Sequence, residues 1–244
     1  MKNINKLYNF HSKTMIRNFD KVIPKNKWPE EWKMIEYKGY IRLPQIILSR
    51  QNGGAKMSVS ETLKKRISIR NFSDKAITEK QLSDLLYYSV GQKPEGTGRF
   101  YPSAGARYPL ETYVVVTNKI NSQIDIGLYH YHVRTHSLEL LWDDKRAVKE
   151  ILNSIDQLWA SNSKLFIINT AVFSRTSKKY GIRAYRHILC ETGYVGQNFY
   201  LVSTALGLGC CAIGGYIDKR INKLLDVDGI EESTVALHAI GHSN

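Results

Sequence analysis

The sequence predicts an α+β fold. Three observations carry that prediction. Residues 111–117 and 164–173 are short runs rich in β-branched and aromatic side chains, with Tyr113–Val116 and Leu165–Ile168 at their centres, and read as strands. Residues 183–206 form the longest helical run and stop at Gly207, a C-terminal glycine signal. Strand and helix patterns follow one another without the strict β-α-β rhythm of a doubly wound sheet.

In chain order, residues 1–57 read as a basic arm. They hold twelve Lys/Arg against four Asp/Glu, most of the +13 net charge. Trp28-Pro29 and Leu43-Pro44 argue against one continuous helix, because proline disfavours the helical conformation in the residue before it. Trp28, Trp32, Tyr37, Tyr40 and Ile46 are too apolar for a free tail, so the arm is expected to lie across the body. Asn52-Gly53-Gly54-Ala55 reads as the linker to a domain over 58–244.

Ser60-Glu61-Thr62-Leu63 starts a short helix that leads into Arg66-Ile67-Ser68-Ile69-Arg70-Asn71-Phe72. Thr78 with Gln81 forms a capping-box pattern, and Leu82, Leu85, Leu86 and Val90 then share one helix face up to Gly91. Glycines and prolines break residues 91–110 into loop. Residues 127–132 and 137–142 read as a hairpin around 133–136, residues 147–158 as a helix and 219–225 as a short helix. Residues 234–240 read as a last strand, and Cys210–Gly215 as a short apolar turn. There is no internal repeat.

Composition bounds the possibilities. A chain of 244 residues with 43% hydrophobic, 23% charged and 11% aromatic residues can bury a core and is not globally disordered. No apolar run reaches the roughly 18 residues of a membrane span. The N-terminus lacks a signal-peptide pattern, so the cytoplasm is the expected compartment. The three cysteines include an adjacent pair and no C-x-x-C, and read as reduced. The positive charge fits either attraction to an anion (nucleic acid, a phosphate-bearing cofactor, an acidic peptide) or a Lys/Asn/Ile-rich bias with solvated lysines.

Four stretches could carry chemistry. In an extended segment Arg66, Ser68 and Arg70 share one side, suiting a phosphate, or equally a basic edge strand. Pro102-Ser103-Ala104-Gly105-Ala106-Arg107-Tyr108-Pro109 and Cys211-Ala212-Ile213-Gly214-Gly215 allow close backbone approach by a flat ligand, or are plain turns. Lys179-Tyr180-Gly181-Ile182-Arg183-Ala184-Tyr185-Arg186 sets a proton-moving pair beside arginines, or is a basic loop ahead of a helix. That helix carries Gly193, Gly196, Ser203 and Ala205, as one packed closely on a neighbour would. His130 with His132, and His187 with Cys190 and Glu191, share faces but close no zinc-type ligand set, so no metal is expected. No P-loop or dinucleotide fingerprint occurs.

Taken in order, Arg-x-Ser-x-Arg-x-Phe, Pro-Ser-Ala-Gly-Ala-x-Tyr-Pro-Leu-Glu, Gly127-Leu128-Tyr129-His130-Tyr131, Lys-Tyr-Gly-x-Arg-x-Tyr-Arg and Ala-Ile-Gly-Gly resemble one family. It is the flavin-dependent nitroreductase superfamily, and within it the SagB-type dehydrogenases, the azoline oxidases of thiazole- and oxazole-forming pathways. The resemblance covers roughly residues 60–241, and more faintly Tyr8–Thr14. It implies a central, mostly antiparallel sheet flanked by helices, with FMN at the interface of an intertwined homodimer. Carried onto this sequence, Arg66, Ile67, Ser68 and Arg70 would hold the phosphate side. Pro102, Ser103, Ala104 and Gly105 would come from the partner chain, and Ile213, Gly214 and Gly215 would pass the flavin ring near N5. Many relatives add a basic residue after the last strand, where this chain has Gly241-His242-Ser243-Asn244. Either Arg66 and Arg70 suffice, or Arg183, Arg186 or His242 helps.

The same resemblance gives Lys179 and Tyr180 a catalytic role. The pair would remove a ring proton while a hydride passes to flavin N5. A lysine with a usual pKa of about 10.4 must be depressed to act as a base, and Arg183 and Arg186 are close in sequence. Tyrosine would relay the proton or stabilise the ring nitrogen. The plainer reading makes Lys178-Lys179 a solvated pair. The expected function is therefore an FMN-dependent dehydrogenase converting azolines to azoles on a peptide or peptide-like precursor, with dioxygen reoxidising the flavin. A cyclase or carrier is the candidate supplier of substrate, and the basic arm could receive an acidic leader peptide. The rivals are an NAD(P)H-consuming nitroreductase, a non-catalytic flavin scaffold paired with an active paralogue, and a basic nucleic-acid-binding protein.

Overall fold

The computed structural model describes residues 2–15, 23–50, 56–94, 96 and 98–244; the expected linker at 52–55 lies outside them. Among the described residues the strands are β1 (Gln45–Ile47), β2 (Leu110–Val116), β3 (Gly127–His132), β4 (Ser137–Trp142), β5 (Leu165–Val172), β6 (Gly209–Ile213) and β7 (Glu232–Gly241). They form one sheet in the order β1-β4-β3-β2-β5-β7-β6, with every neighbouring pair antiparallel. The helices are α1 (Lys2–Lys13), α2 (Val59–Lys65), α3 (Glu79–Val90), α4 (Arg146–Leu152), α5 (Phe173–Tyr180), α6 (Ala184–Ala205) and α7 (Asp218–Leu224). The α+β fold with an antiparallel sheet flanked by helices is as expected. No described helix is long and apolar enough to cross a membrane.

The central strands look uniformly apolar because both their faces are covered. Side chains alternate across a strand, so Val114, Val116 and Ile167 join Leu82, Leu85, Leu86, Val195 and Phe199 in one core under α3 and α6. Tyr113, Val115, Phe166 and Ile168 turn the other way and pack with Ala147, Ile151, Ile221 and Leu224 of α4 and α7. The Thr78–Gln81 capping box is formed reciprocally at the start of α3, and the Leu82, Leu85, Leu86 and Val90 face is buried.

Four differences have physical reasons. The helix expected over 147–158 stops at Leu152, because Ile155 bridges to Tyr216 and the Ser154 carbonyl accepts from the Ile217 N–H. The stretch Cys210–Gly215, expected as a turn, is mostly strand β6, zipped to β7 from Gly209↔Gly241 to Ile213↔Leu237. A short apolar run beside glycines carries no periodicity that separates strand from turn. α2 begins at Val59, just ahead of Ser60, because Ser58 caps it. Ahead of α6, the stretch that could have been a basic loop is helix α5, ended by Gly181 at φ +53°, ψ −141°, a conformation natural only to glycine.

The described parts of the arm carry α1, two short 3₁₀ turns at Lys25–Lys27 and Glu30–Trp32, and β1, which adds an edge strand to β4 just after Pro44. Lys38 reaches inward to Glu232 at 2.7 Å and to the Tyr113 hydroxyl at 2.7 Å.

Candidate active site

Two groups of the expected site residues form separate clusters. The first gathers at the end of α5. Its loop, Ser103–Tyr108, has three residues in the left-handed region: Gly105 (φ +60°), Ala106 (φ +54°) and Tyr108 (φ +46°). Ala106 and Tyr108 are strained there, and the loop is held by its surroundings. Ser103 Oγ accepts from the Tyr108 N–H at 2.8 Å, and Arg175 of α5 donates to the Tyr108 carbonyl at 3.2 Å. A Cβ on Gly105 would sit 2.5 Å from Tyr180 Oη and 2.9 Å from Lys179 Nζ, so glycine is needed for space as well as for φ. Loop and Lys–Tyr pair thus touch within one chain.

Lys179 is half-buried, but its Nζ is closed off and has no hydrogen-bond partner among the described residues. It lies 3.3 Å from the Trp28 ring centroid and 5.7 Å from that of Trp32. Burial lowers its pKa, and the charges of Arg107 and Lys25 lower it further. These are not the arginines that proximity in sequence suggested. Arg183 donates to the Thr14 carbonyl at 2.8 Å, while Arg186 donates to Thr14 Oγ1 and to the His11 carbonyl at 2.9 Å, tying α6 to α1. Tyr180 is raised by burial, against the charge of Arg107, and its ring meets His187 at 4.8 Å.

Buried charge anchors this cluster. Arg175 pairs with Glu111, whose Oε2 meets His130 Nε2 at 3.2 Å, and His130 Nδ1 meets Glu139 Oε2 at 2.7 Å. Burial works to raise Glu111, but the His130 hydrogen bond and the Arg175 charge outweigh it and bring the carboxyl down to about 2. Burial likewise opposes a charged His130, and the hydrogen bonds to Glu111 and Glu139 win, raising it.

Glu191 of α6 is a different case. Burial pushes it up to about 7, against the Ser103 hydroxyl, the Arg99 charge and the Ala104 N–H. A carboxyl raised from about 4.5 contributes full stability below that value and loses it as pH rises through about 7. Glu191→Gln is therefore expected to leave stability nearly unchanged at pH 4.5 and to increase it by up to ~3 kcal/mol at pH 8.5, measured by urea unfolding.

The second cluster lies on β6 and the C-terminal half of α6. Ser68 bridges to Cys210, and its Oγ is 3.3 Å from Tyr200 Oη, which accepts from the Ala212 N–H at 2.8 Å. The Arg66 guanidinium lies 5.4 Å from the Tyr200 ring centroid. Neither Arg66 nor Arg70 forms an ion pair among the described residues. Ala212, Gly214 and Gly215 are exposed, Ile213 is buried, and a Cβ on Gly214 would meet nothing within 4 Å. Unpaired guanidiniums, a hydroxyl and a bare backbone strip suit a phosphate joined to a flat ring, so these residues fit FMN. Ile67 is 60% exposed beside them, and Pro102 is exposed at the first cluster.

Along α6, thirteen residues separate His187 at the first cluster from Tyr200 at the second, about 20 Å of rise. Arg186 belongs to the first cluster, not to the Arg66–Ser68 group. His242 is buried, with Nε2 lacking a hydrogen-bond partner among the described residues. Sequence reasoning missed Trp28, Trp32, Arg107, Tyr200 and the acidity of Glu191. The sequence marks Trp28 and Trp32 only as apolar residues of the arm and Arg107 only as a member of the glycine loop, with no signal of what they enclose.

Comparison with known proteins agrees with this architecture. The pattern of the nitroreductase family matches residues 63–242. A Methanocaldococcus jannaschii protein named for the nitroreductases is 32% identical over 187 residues, covering 77% of this chain and 89% of its own. The microcin B17-processing protein McbC of Escherichia coli is 29% identical over 163 residues, 65% of this chain and 60% of its own length. Among solved structures, the E. coli microcin synthetase McbBCD complex with truncated pro-MccB17 bound has a chain that superposes with TM-score 0.66 at 22% identity, covering 98% of this chain and 92% of that one. With most of its length matched by the family pattern and an antiparallel fold to accompany it, the chain belongs to the nitroreductase family.

Proposed function

We propose that the chain is an FMN-dependent dehydrogenase of the SagB type, oxidising azoline rings to azoles on a peptide or peptide-like precursor. The observation that carries this reading is the Lys179–Tyr180 pair, its amine without a hydrogen-bond partner among the described residues, packed against Gly105 of the glycine loop. The likeness to a microcin-processing protein favours a peptide substrate over a small nitro compound.

Arg66, Ser68 and Arg70 would hold the FMN phosphate, and Ile213, Gly214 and Gly215 would lie along the ring. The chemistry that bound FMN supplies is a two-electron sink for the second hydrogen lost by the azoline. The chain does the rest. Lys179 Nζ takes the proton from the ring carbon, and the Tyr180 hydroxyl hydrogen-bonds the ring nitrogen or passes the proton on. The enclosure keeps water from that amine.

Joining the two clusters takes a second copy. Tyr185, Leu189 and Tyr194 are 40–48% exposed on α6, around an open Gly193. A two-fold contact through this face runs α6 antiparallel to its copy, setting one chain's Lys–Tyr end beside the partner's Arg–Ser end. The McbBCD neighbour, described as a synthetase complex, supports a further partner that delivers the substrate.

The test is direct. Purified protein is expected to be yellow, to release FMN on denaturation, and to convert a thiazoline peptide to the thiazole with uptake of dioxygen. Rapid reduction of bound flavin by NAD(P)H without azoline turnover would favour a nitroreductase. Colourless protein whose nucleic-acid affinity falls steeply with salt would overturn the flavin reading.

A further inference from the structure

We propose that Trp28 and Trp32 of the N-terminal arm are positioning residues for Lys179, walling its amine away from water and from the hydrogen-bond acceptors among the described residues. The inference rests on the catalytic reading of Lys179 given above. Its geometry is independent of that reading. The Trp28 and Trp32 rings meet edge to face at 6.3 Å, and Lys179 Nζ lies against them with no hydrogen-bond partner among the described residues.

The wall is built to stay in place. Pro24 and Pro29 precede the two 3₁₀ turns, of which the first is followed by Trp28 and the second ends in Trp32, and proline fixes φ at each entry. Trp28 Nε1 donates to the Ile23 carbonyl at 2.9 Å, and Trp32 Nε1 to the Lys178 carbonyl at 3.1 Å. Arg107, only 1% exposed, ties wall to helix: Nη1 donates to the Trp32 carbonyl at 2.7 Å and Nε to the Arg175 carbonyl at 3.0 Å. Lys178 meets Glu36 at 3.2 Å on the outer side.

The charged and titratable groups around the amine are Arg107 from the glycine loop, Lys25 from the arm, Tyr180 and His187 beside it, and the Lys178–Glu36 pair. The Glu36 carboxylate is already engaged by Lys178, and Arg107 Nη2 also lacks an acceptor among the described residues. Among the described residues the enclosure therefore sets two cations close together with no anion on Lys179. An indole face attracts an ammonium, which opposes this effect. Loss of hydration for three N–H donors without acceptors, plus repulsion from Arg107, is the larger influence and favours the neutral amine. Opening the wall should let the amine regain water and its usual basicity.

The test compares wild type with Trp28→Ala, Trp28→Phe and Trp32→Phe in the full-length, flavin-loaded protein, with circular dichroism to confirm folding. Competitive acylation across pH, read by peptide mass spectrometry, gives the labelling midpoint of Lys179 with Lys178 as an internal reference. In the wild type the Lys179 midpoint is expected below the usual lysine value of about 10.4. In Trp28→Ala it should move up towards that value, and in Trp28→Phe it should stay near the wild-type one. The acid limb of kcat should move with it. Activity at pH 7 should fall about tenfold for each pH unit by which the midpoint rises, and wild-type kcat should return at high pH. A midpoint unchanged in folded Trp28→Ala overturns the proposal, as does a KM that rises at all pH with no movement of the limb. Labelling needs no turnover, so the two readings fail separately. A raised midpoint with a fully active Lys179→Ala sinks the catalytic reading and keeps the wall. An unchanged midpoint with an inactive Lys179→Ala does the reverse.

Discussion

Lys179→Met is expected to lower kcat for azoline oxidation by about 10²- to 10⁴-fold, the usual contribution of a positioned base. Methionine keeps an unbranched stem for the Trp28 and Trp32 rings to pack on, so the fold should survive. FMN content should be unchanged, because the phosphate side is assigned to Arg66, Ser68 and Arg70 and not to Lys179, which lies on α5. Tyr180→Phe removes only a hydroxyl and should cost less. In the wild type, kcat should rise with pH through the lowered value of Lys179 and level off above it. Single-turnover kinetics on a thiazoline peptide measure all three. Full turnover by both variants would remove the pair from the mechanism.

The second large effect concerns stability. Glu111→Ala leaves Arg175 and His130 buried without the carboxylate between them, and is expected to destabilise the protein by about 3–5 kcal/mol. The loss should depend on pH in a stated way. Glu111 is depressed, so its contribution is present above its usual value of about 4.5 and fades as pH falls towards about 2. His130 is raised, so its contribution is full below about 6.5 and fades as pH rises through the raised value. The difference between wild type and variant in urea unfolding should therefore be largest between about pH 4.5 and 6.5. A difference that is flat from about pH 3 to 9 would mean the ladder is not ionised as described. Since Arg175 sits on α5 and holds Tyr108, the same variant should also loosen the glycine loop against Lys179.

Much of the frame was legible in the sequence. The hairpin strands fall at 127–132 and 137–142 as expected, the Thr78–Gln81 box forms, and the long helix ends before Gly207. These features depend on neighbours a few residues apart, where periodicity, caps and turn residues act directly. β6 was missed because its strand character comes from pairing with β7, not from its own five residues. The motif residues gather into two clusters at different levels of α6.

The sequence by itself determined the α+β class, the family resemblance and the residue types of a flavin site, because those are carried by local patterns and motif spacing. Only the tertiary structure decided what surrounds the Lys179 amine. Arg183 and Arg186, its neighbours in sequence, turn to α1, while Trp28, Trp32 and Arg107 come from remote segments to enclose it. The basicity of a side chain depends on water, charge and donors within a few ångströms. Those are set by packing between segments about 150 residues apart, which no local pattern records.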